Sequence, residues 1–201
     1  MKLINRSLEL KQGFAQAISD IILQPQIFTM YVFIVVTYFI TGGNNFFILT
    51  LLCILFATFL PLTSSLKWIK SKNLDSDISN KDERIFPLIL VALSYLLGVI
   101  ILFIAGAPIV ITVLMFCYFS NALLITCITY FWKISLHSMS IAGPAAAMTY
   151  IFGYPGLLVS IPLIMVMWSR IYLNKHTPAQ VIVGAVTGFI FTWIQFKILL
   201  P

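Results

Sequence analysis

The sequence predicts an all-α, polytopic transmembrane helix bundle with six or seven spanning segments. Hydrophobic residues make up 61% of its 201 positions and charged residues only 9%, against roughly 25% in a soluble domain. Mean hydropathy is +1.04. The apolar residues fall in runs long enough to cross a bilayer, separated by short polar or glycine- and proline-bearing breaks.

Residues 1–24 form a first unit. Leu8, Phe14, Ala17, Ile18, Ile21 and Ile22 recur at helical spacing beside Lys11, Gln12, Gln16 and Asp20, which predicts an amphipathic helix lying on the membrane. The stretch lacks the compact apolar core and small-residue cleavage site of a secretory signal. Residues 25–201 form the transmembrane domain. Its first segment, Ile27 to Ile40, ends at the turn Gly42-Gly43-Asn44-Asn45, and a second runs from Phe46 to Leu66. A polar stretch from Lys67 to Arg84 follows. The third segment is Ile85 to Ile104, and the fourth, after Gly106-Ala107-Pro108, is Ile109 to Phe131.

Past His137, Ala142, Gly143, Pro144, Ala145, Ala146 and Ala147 are small enough for helix backbones to approach closely. That apolar stretch stops at Phe152. At about fifteen residues it is either a short span or a half-buried helix, since the hydrocarbon core is roughly 30 Å thick. Leu157 to Leu173, a loop from Asn174 to Pro178, and a last helix from Ala179 to Leu200 complete the chain. Gly184 and Gly188 lie one turn apart in that helix and predict a close helix contact. Cys53, Cys117 and Cys127 sit in apolar runs without ligand-like spacing, so they read as small buried hydrophobes with no disulfide or zinc role.

With seven spans, the N-terminus, the Lys67 to Arg84 loop, His137 and the His176 loop share one membrane face, because a two-helix hairpin separates each from the next. The net charge of +6 comes from basic residues clustered between apolar runs. That pattern suits membrane flanks and an anionic substrate, with no role for nucleic acid. The excess of basic residues assigns this face to the cytoplasm.

The two histidines, His137 and His176, each lie near a serine and a basic residue beside long apolar runs. Ionisable groups at membrane depth are costly and tend to be paired and functional. Cleaving a phosphate ester needs a nucleophile, a proton donor for the departing oxygen, and fixed positive charge around the phosphoryl group. Histidine serves as either of the first two near neutral pH. Arg84 and Arg170 offer planar donor forks. Ser135 and Ser169 add hydroxyls, and a helix starting at Ser138 would add backbone N–H groups.

These residues resemble the type 2 phosphatidic acid phosphatases, a family that includes bacterial polyprenyl-diphosphate phosphatases. The family's third motif, Ser-Arg, five residues, His, three residues, Asp, is matched by Ser169, Arg170 and His176, with Gln180 at the Asp position. Of its second motif, Pro-Ser-Gly-His, the stretch Ile134-Ser135-Leu136-His137 keeps Ser135 and His137. Of its first, Lys, six residues, Arg-Pro, Arg84 is similar to the arginine. Pro87 lies three residues beyond Arg84 instead of adjacent to it, Asp77 stands where the lysine belongs, and Lys81 and Lys72 lie nearby.

The resemblance covers roughly residues 72–188. It implies a membrane lipid phosphate or polyprenyl diphosphate phosphatase in a bacterial inner membrane, working without a metal or other cofactor. It implies His176 as the nucleophile forming a phosphohistidine and His137 as the acid for the leaving alcohol. Arg84, Ser135, Ser169, Arg170 and Lys81 would hold the phosphate. Two hydrophobic segments between Arg84 and His137 depart from the family's commoner direct connection. Gln180 departs most: its carbonyl can orient the histidine but supplies no counter-charge.

Other readings stay open. A histidine at an interface can simply make one hydrogen bond. Asp75 and Asp77, with Asp82 and Glu83 close behind, put four of the six acidic residues in one loop. Paired carboxylates of this kind can hold Mg²⁺ against a diphosphate, as in membrane prenyltransferases. A bundle rich in small residues also suits a non-catalytic transporter.

Overall fold

A computed structural model describes residues 2–75, 78 and 80–200, with side chains from Glu9 onward. It is built of α-helices: α1 (Lys2–Gln16), α2 (Pro25–Thr41), α3 (Phe46–Ile54), α4 (Leu60–Lys72), α5 (Asp82–Ile104), α6 (Ile109–Phe131), α7 (Leu136–Phe152), α8 (Ser160–Tyr172) and α9 (Pro178–Leu199). Five helical stretches are long and apolar enough to cross a membrane, and a sixth qualifies if the N-terminal helix and α2, bent by 55°, count as one span. This is the character of a polytopic integral membrane protein.

The helix starts and stops follow from local chemistry. Pro25 opens α2, where its missing N–H costs nothing, and Gly42 closes it in the left-handed region at φ +57°. Asp82 and Glu83 sit in the first turn of α5, where the helix dipole favours carboxylates. Lys70 and Lys72 occupy the last turn of α4, the favourable end for cations.

Counting the bent pair as one span gives six, the lower of the expected numbers, and a seventh is not reached because the segments in question are short. Helices α2 and α7 each have 17 residues. Helix α7 is the short segment after His137, and Ala142 to Ala147 are all buried within it. The expected close contact is made between α7 and α9, the most extensive helix pair. A Cβ on Gly184 would lie 2.8 Å from the carbonyl oxygen of Ser135, and one on Gly188 would lie 2.6 Å from that of Met139. Neither backbone oxygen can give way, so both glycines are required by the seam.

The second segment does not end at Leu66. Helices α3 and α4 form one continuous stretch, Phe46–Lys72, through a π-helical turn at Leu55–Phe59. The wider turn loosens the carbonyl of Phe56, which accepts a 2.6 Å hydrogen bond from Ser94 Oγ on α5. The extension to Lys72 is held by Trp68, whose ring packs 4.5 Å from that of Phe86 and whose Nε1 donates to the Glu83 carbonyl. A mixed polar and charged composition reads as loop, and here it forms the solvated end of a helix.

The N-terminal helix exists as expected, but its packed face is narrower. Helix α1 continues as a π-helical segment, Ala17–Ile22. Ala15, Ile18 and Ser19 are buried, while Phe14, Ile21 and Ile22 are exposed. Cys53 and Cys117 are buried as expected, whereas Cys127 lies exposed on the outer face of α6.

Candidate active site

One cavity of about 540 Å³ takes walls from nearly every part of the chain. Arg84, His137, Arg170 and His176 line it together, joined by Asp20 and Gln24 of the N-terminal region. The loops expected to share a face therefore converge there.

Arg170 and His176 are tied by the turn that ends α8. Asn174 takes a left-handed conformation, φ +54°. The chain then folds back, so that the N–H groups of Lys175 and His176 both donate to the Arg170 carbonyl, at 3.0 and 3.3 Å. Arg170 is 1% exposed and His176 7%. Thr177 then caps α9 in a capping box with Gln180: Thr177 Oγ1 accepts from the Gln180 N–H, and Gln180 Oε1 accepts from the Thr177 N–H at 3.1 Å.

Gln180 Oε1 also lies 3.2 Å from His176 Nδ1. The Thr177 N–H can only donate, which identifies the amide atom facing it as oxygen. The same oxygen faces Nδ1, so Nδ1 must carry the hydrogen. Neutral His176 then has its lone pair on Nε2. Burial, the charges of Arg84 and Arg170 and, more weakly, Lys133 push its pKa down to about 4, while the Gln180 bond opposes them. The imidazole is thus neutral at physiological pH and able to act as a nucleophile.

His137 reaches the same cavity from the first turn of α7. That helix starts at Leu136, two residues earlier than the Ser138 start expected from the sequence. Ser135 is its N-cap, and its Oγ accepts from the Ser138 N–H at 3.4 Å and from Ser138 Oγ at 3.0 Å. The Ser135 N–H donates to the Gln180 carbonyl at 3.2 Å, joining the start of α7 to that of α9. Arg84, 2% exposed, donates from Nε to the Ile78 carbonyl at 2.6 Å, and this bond aims it from the start of α5.

Three expected phosphate ligands are elsewhere. Ser135 is fully buried beneath the α7 N-terminus and does not line the cavity. Ser169 Oγ donates to the Ala15 carbonyl at 2.7 Å, so this residue fastens the N-terminal helix to α8. Lys81 Nζ donates to the Tyr130 carbonyl at 2.7 Å and pairs with Asp82 at 3.8 Å. Ser135 is taken up by the start of α7 and Ser169 by a carbonyl of the N-terminal helix, both of them backbone partners. Of the proposed acidic pair, Asp77 lies outside the described residues, and Asp75 is exposed and does not line the cavity. Among the described residues, no three His, Cys, Asp or Glu side chains gather in a metal-binding group.

The unforeseen member is Asp20. Its Oδ1 lies 3.3 Å from Arg170 Nη1 and accepts from Ser19 Oγ at 2.5 Å. Read as the polar face of a surface helix, it gave one signal: a carboxylate enclosed by isoleucines in Ile18-Ser19-Asp20-Ile21-Ile22. Much of the remaining lining is apolar, with Val91, Tyr95, Leu114, Ala122, Ile125 and Met139. The lining also holds a polar pair, Asn121 Nδ2 donating to Thr192 Oγ1 at 2.8 Å.

No family model, characterised protein or solved structure matches this chain.

Proposed function

We propose that this protein is a membrane lipid phosphatase acting through a phosphohistidine, a divergent relative of the type 2 phosphatidic acid phosphatases. One observation carries the reading. A neutral imidazole, oriented by Gln180, stands beside two buried arginines in a cavity whose other walls are mostly apolar. An amphiphile with a phosphate head and a hydrocarbon tail suits both kinds of wall.

In the first step the His176 Nε2 lone pair forms an N–P bond as the P–O bond to the lipid breaks. His137 gives its proton to the departing oxygen. Arg84 and Arg170 stabilise the charge gathering on the phosphoryl oxygens. Water then attacks phosphorus and gives a proton to His137, and the N–P bond breaks to release phosphate and regenerate His176. The bias of basic residues favours the cytoplasmic face for this site.

Phosphate release from phosphatidic acid, phosphatidylglycerophosphate and isoprenyl diphosphates, assayed in detergent with excess EDTA, tests the proposal. Turnover should persist under chelation. Activity restored only by Mg²⁺ would favour the acidic-loop enzyme. Absence of turnover combined with solute flux in liposomes would favour a transporter.

A further inference from the structure

We infer that Asp20 makes this site selective for phosphate monoesters over diphosphates. The inference rests on the phosphate-binding reading of the cavity and narrows its substrate class.

The argument is one of charge and place. Arg170 is almost wholly enclosed, so the surrounding packing confines its guanidinium. Asp20 reaches that guanidinium from a different element, the π-helical segment Ala17–Ile22, and its own side chain remains 42% exposed. It therefore stands at the border between Arg170 and the open cavity. Its orientation is anchored: Ser19, fully buried beside it, donates to the same carboxylate oxygen, and Ser169 ties the preceding turn to α8 through Ala15.

Among the described residues, the charged side chains lining the cavity are Arg84, Arg170 and Asp20. A phosphate monoester brings about −1.5 to −2 at neutral pH, which the two guanidiniums can meet despite the one carboxylate. A diphosphate brings a second phosphoryl group that needs cations of its own. Lys81 is turned away to the Tyr130 carbonyl, and Lys133 acts on His176 without lining the cavity. Beside Arg170 the second phosphoryl would meet the Asp20 carboxylate, and repulsion between like charges in a partly desolvated site discriminates strongly.

Full-length protein in detergent with EDTA should be titrated with orthophosphate and with pyrophosphate, following line broadening of the phosphorus NMR signals. Wild type should bind orthophosphate more tightly. Asp20→Asn should tighten both anions but pyrophosphate by more, narrowing the preference by about tenfold. Asp20→Glu, which keeps the charge, should retain it and guards against loss of fold in the amide variant. A wild type that prefers pyrophosphate, or an unchanged ratio in folded Asp20→Asn, overturns the inference. Binding of neither anion by wild type overturns it together with the phosphate reading. Selective binding without turnover of any lipid phosphate leaves the selectivity standing and removes the phosphatase.

Discussion

Helices α7 and α9 start side by side, and each start carries a histidine to the same cavity, but by different means. His137 is the second residue of α7, inside the helix, so backbone geometry sets the direction of its side chain. His176 precedes the Thr177 cap of α9 and lies outside the helix, where nothing in the backbone repeat fixes the ring. The Gln180 amide supplies that constraint from one turn into α9. The difference suits two chemical roles. A nucleophile must present one nitrogen along one line, whereas a proton donor has to follow an oxygen that moves as its bond breaks.

The sharpest way to break the comparison is to remove each ring in turn. His176→Ala should cut turnover of a lipid phosphate by about 10³-fold or more and eliminate any acid-labile phosphoenzyme, measured by radiolabel trapping. His137→Ala should cost about 10²–10⁴-fold on alkyl phosphates and far less on activated aryl phosphates, whose leaving groups need no proton. Equal losses on both substrate types would remove the distinction between the two helix starts.

A subtler test keeps both rings and changes the clamp. Gln180→Glu, or the shorter Gln180→Asp, places a carboxylate at Nδ1 and should raise the His176 pKa from about 4. Protonated His176 cannot attack phosphorus, so the acid limb of kcat/KM should move upward by about one to three pH units while the rate on the alkaline side is kept. The free enzyme's profile, compared with wild type on one substrate, reports the shift directly. An acid limb that stays in place would mean that Gln180 does not govern the ring.

These two helix starts also mark how far the sequence could be read. The spacing from Ser169 to His176 and Gln180 was legible because it lies within one helix end, one turn and one helix start, where local geometry decides contacts. The segments were legible because their ends coincide with Gly42, Pro108, Gly153 and Pro178, which punctuate any chain. The carbonyl partners of Ser169 and Lys81 were out of reach because tertiary packing supplies them, whereas Ser135 caps its own helix start locally. The partner of Asp20 was unreadable for the same reason. That partner, Arg170, is 150 residues away, and only the fold of the N-terminal segment onto α8 brings them together.

The π-helical turn at Leu55–Phe59 has a further meaning as a phase adjuster. Leu62, Ser65, Leu66 and Ile69 face the cavity from α4 at the three- and four-residue steps of a single helix stripe. Deleting one residue from the turn would let the helix run on in α-geometry, but everything beyond it would rotate by about 100°. That stripe would swing away from the cavity, and Trp68 would leave its place over Phe86. One residue of slack in the middle of a span thus sets which side of its far half the cavity sees.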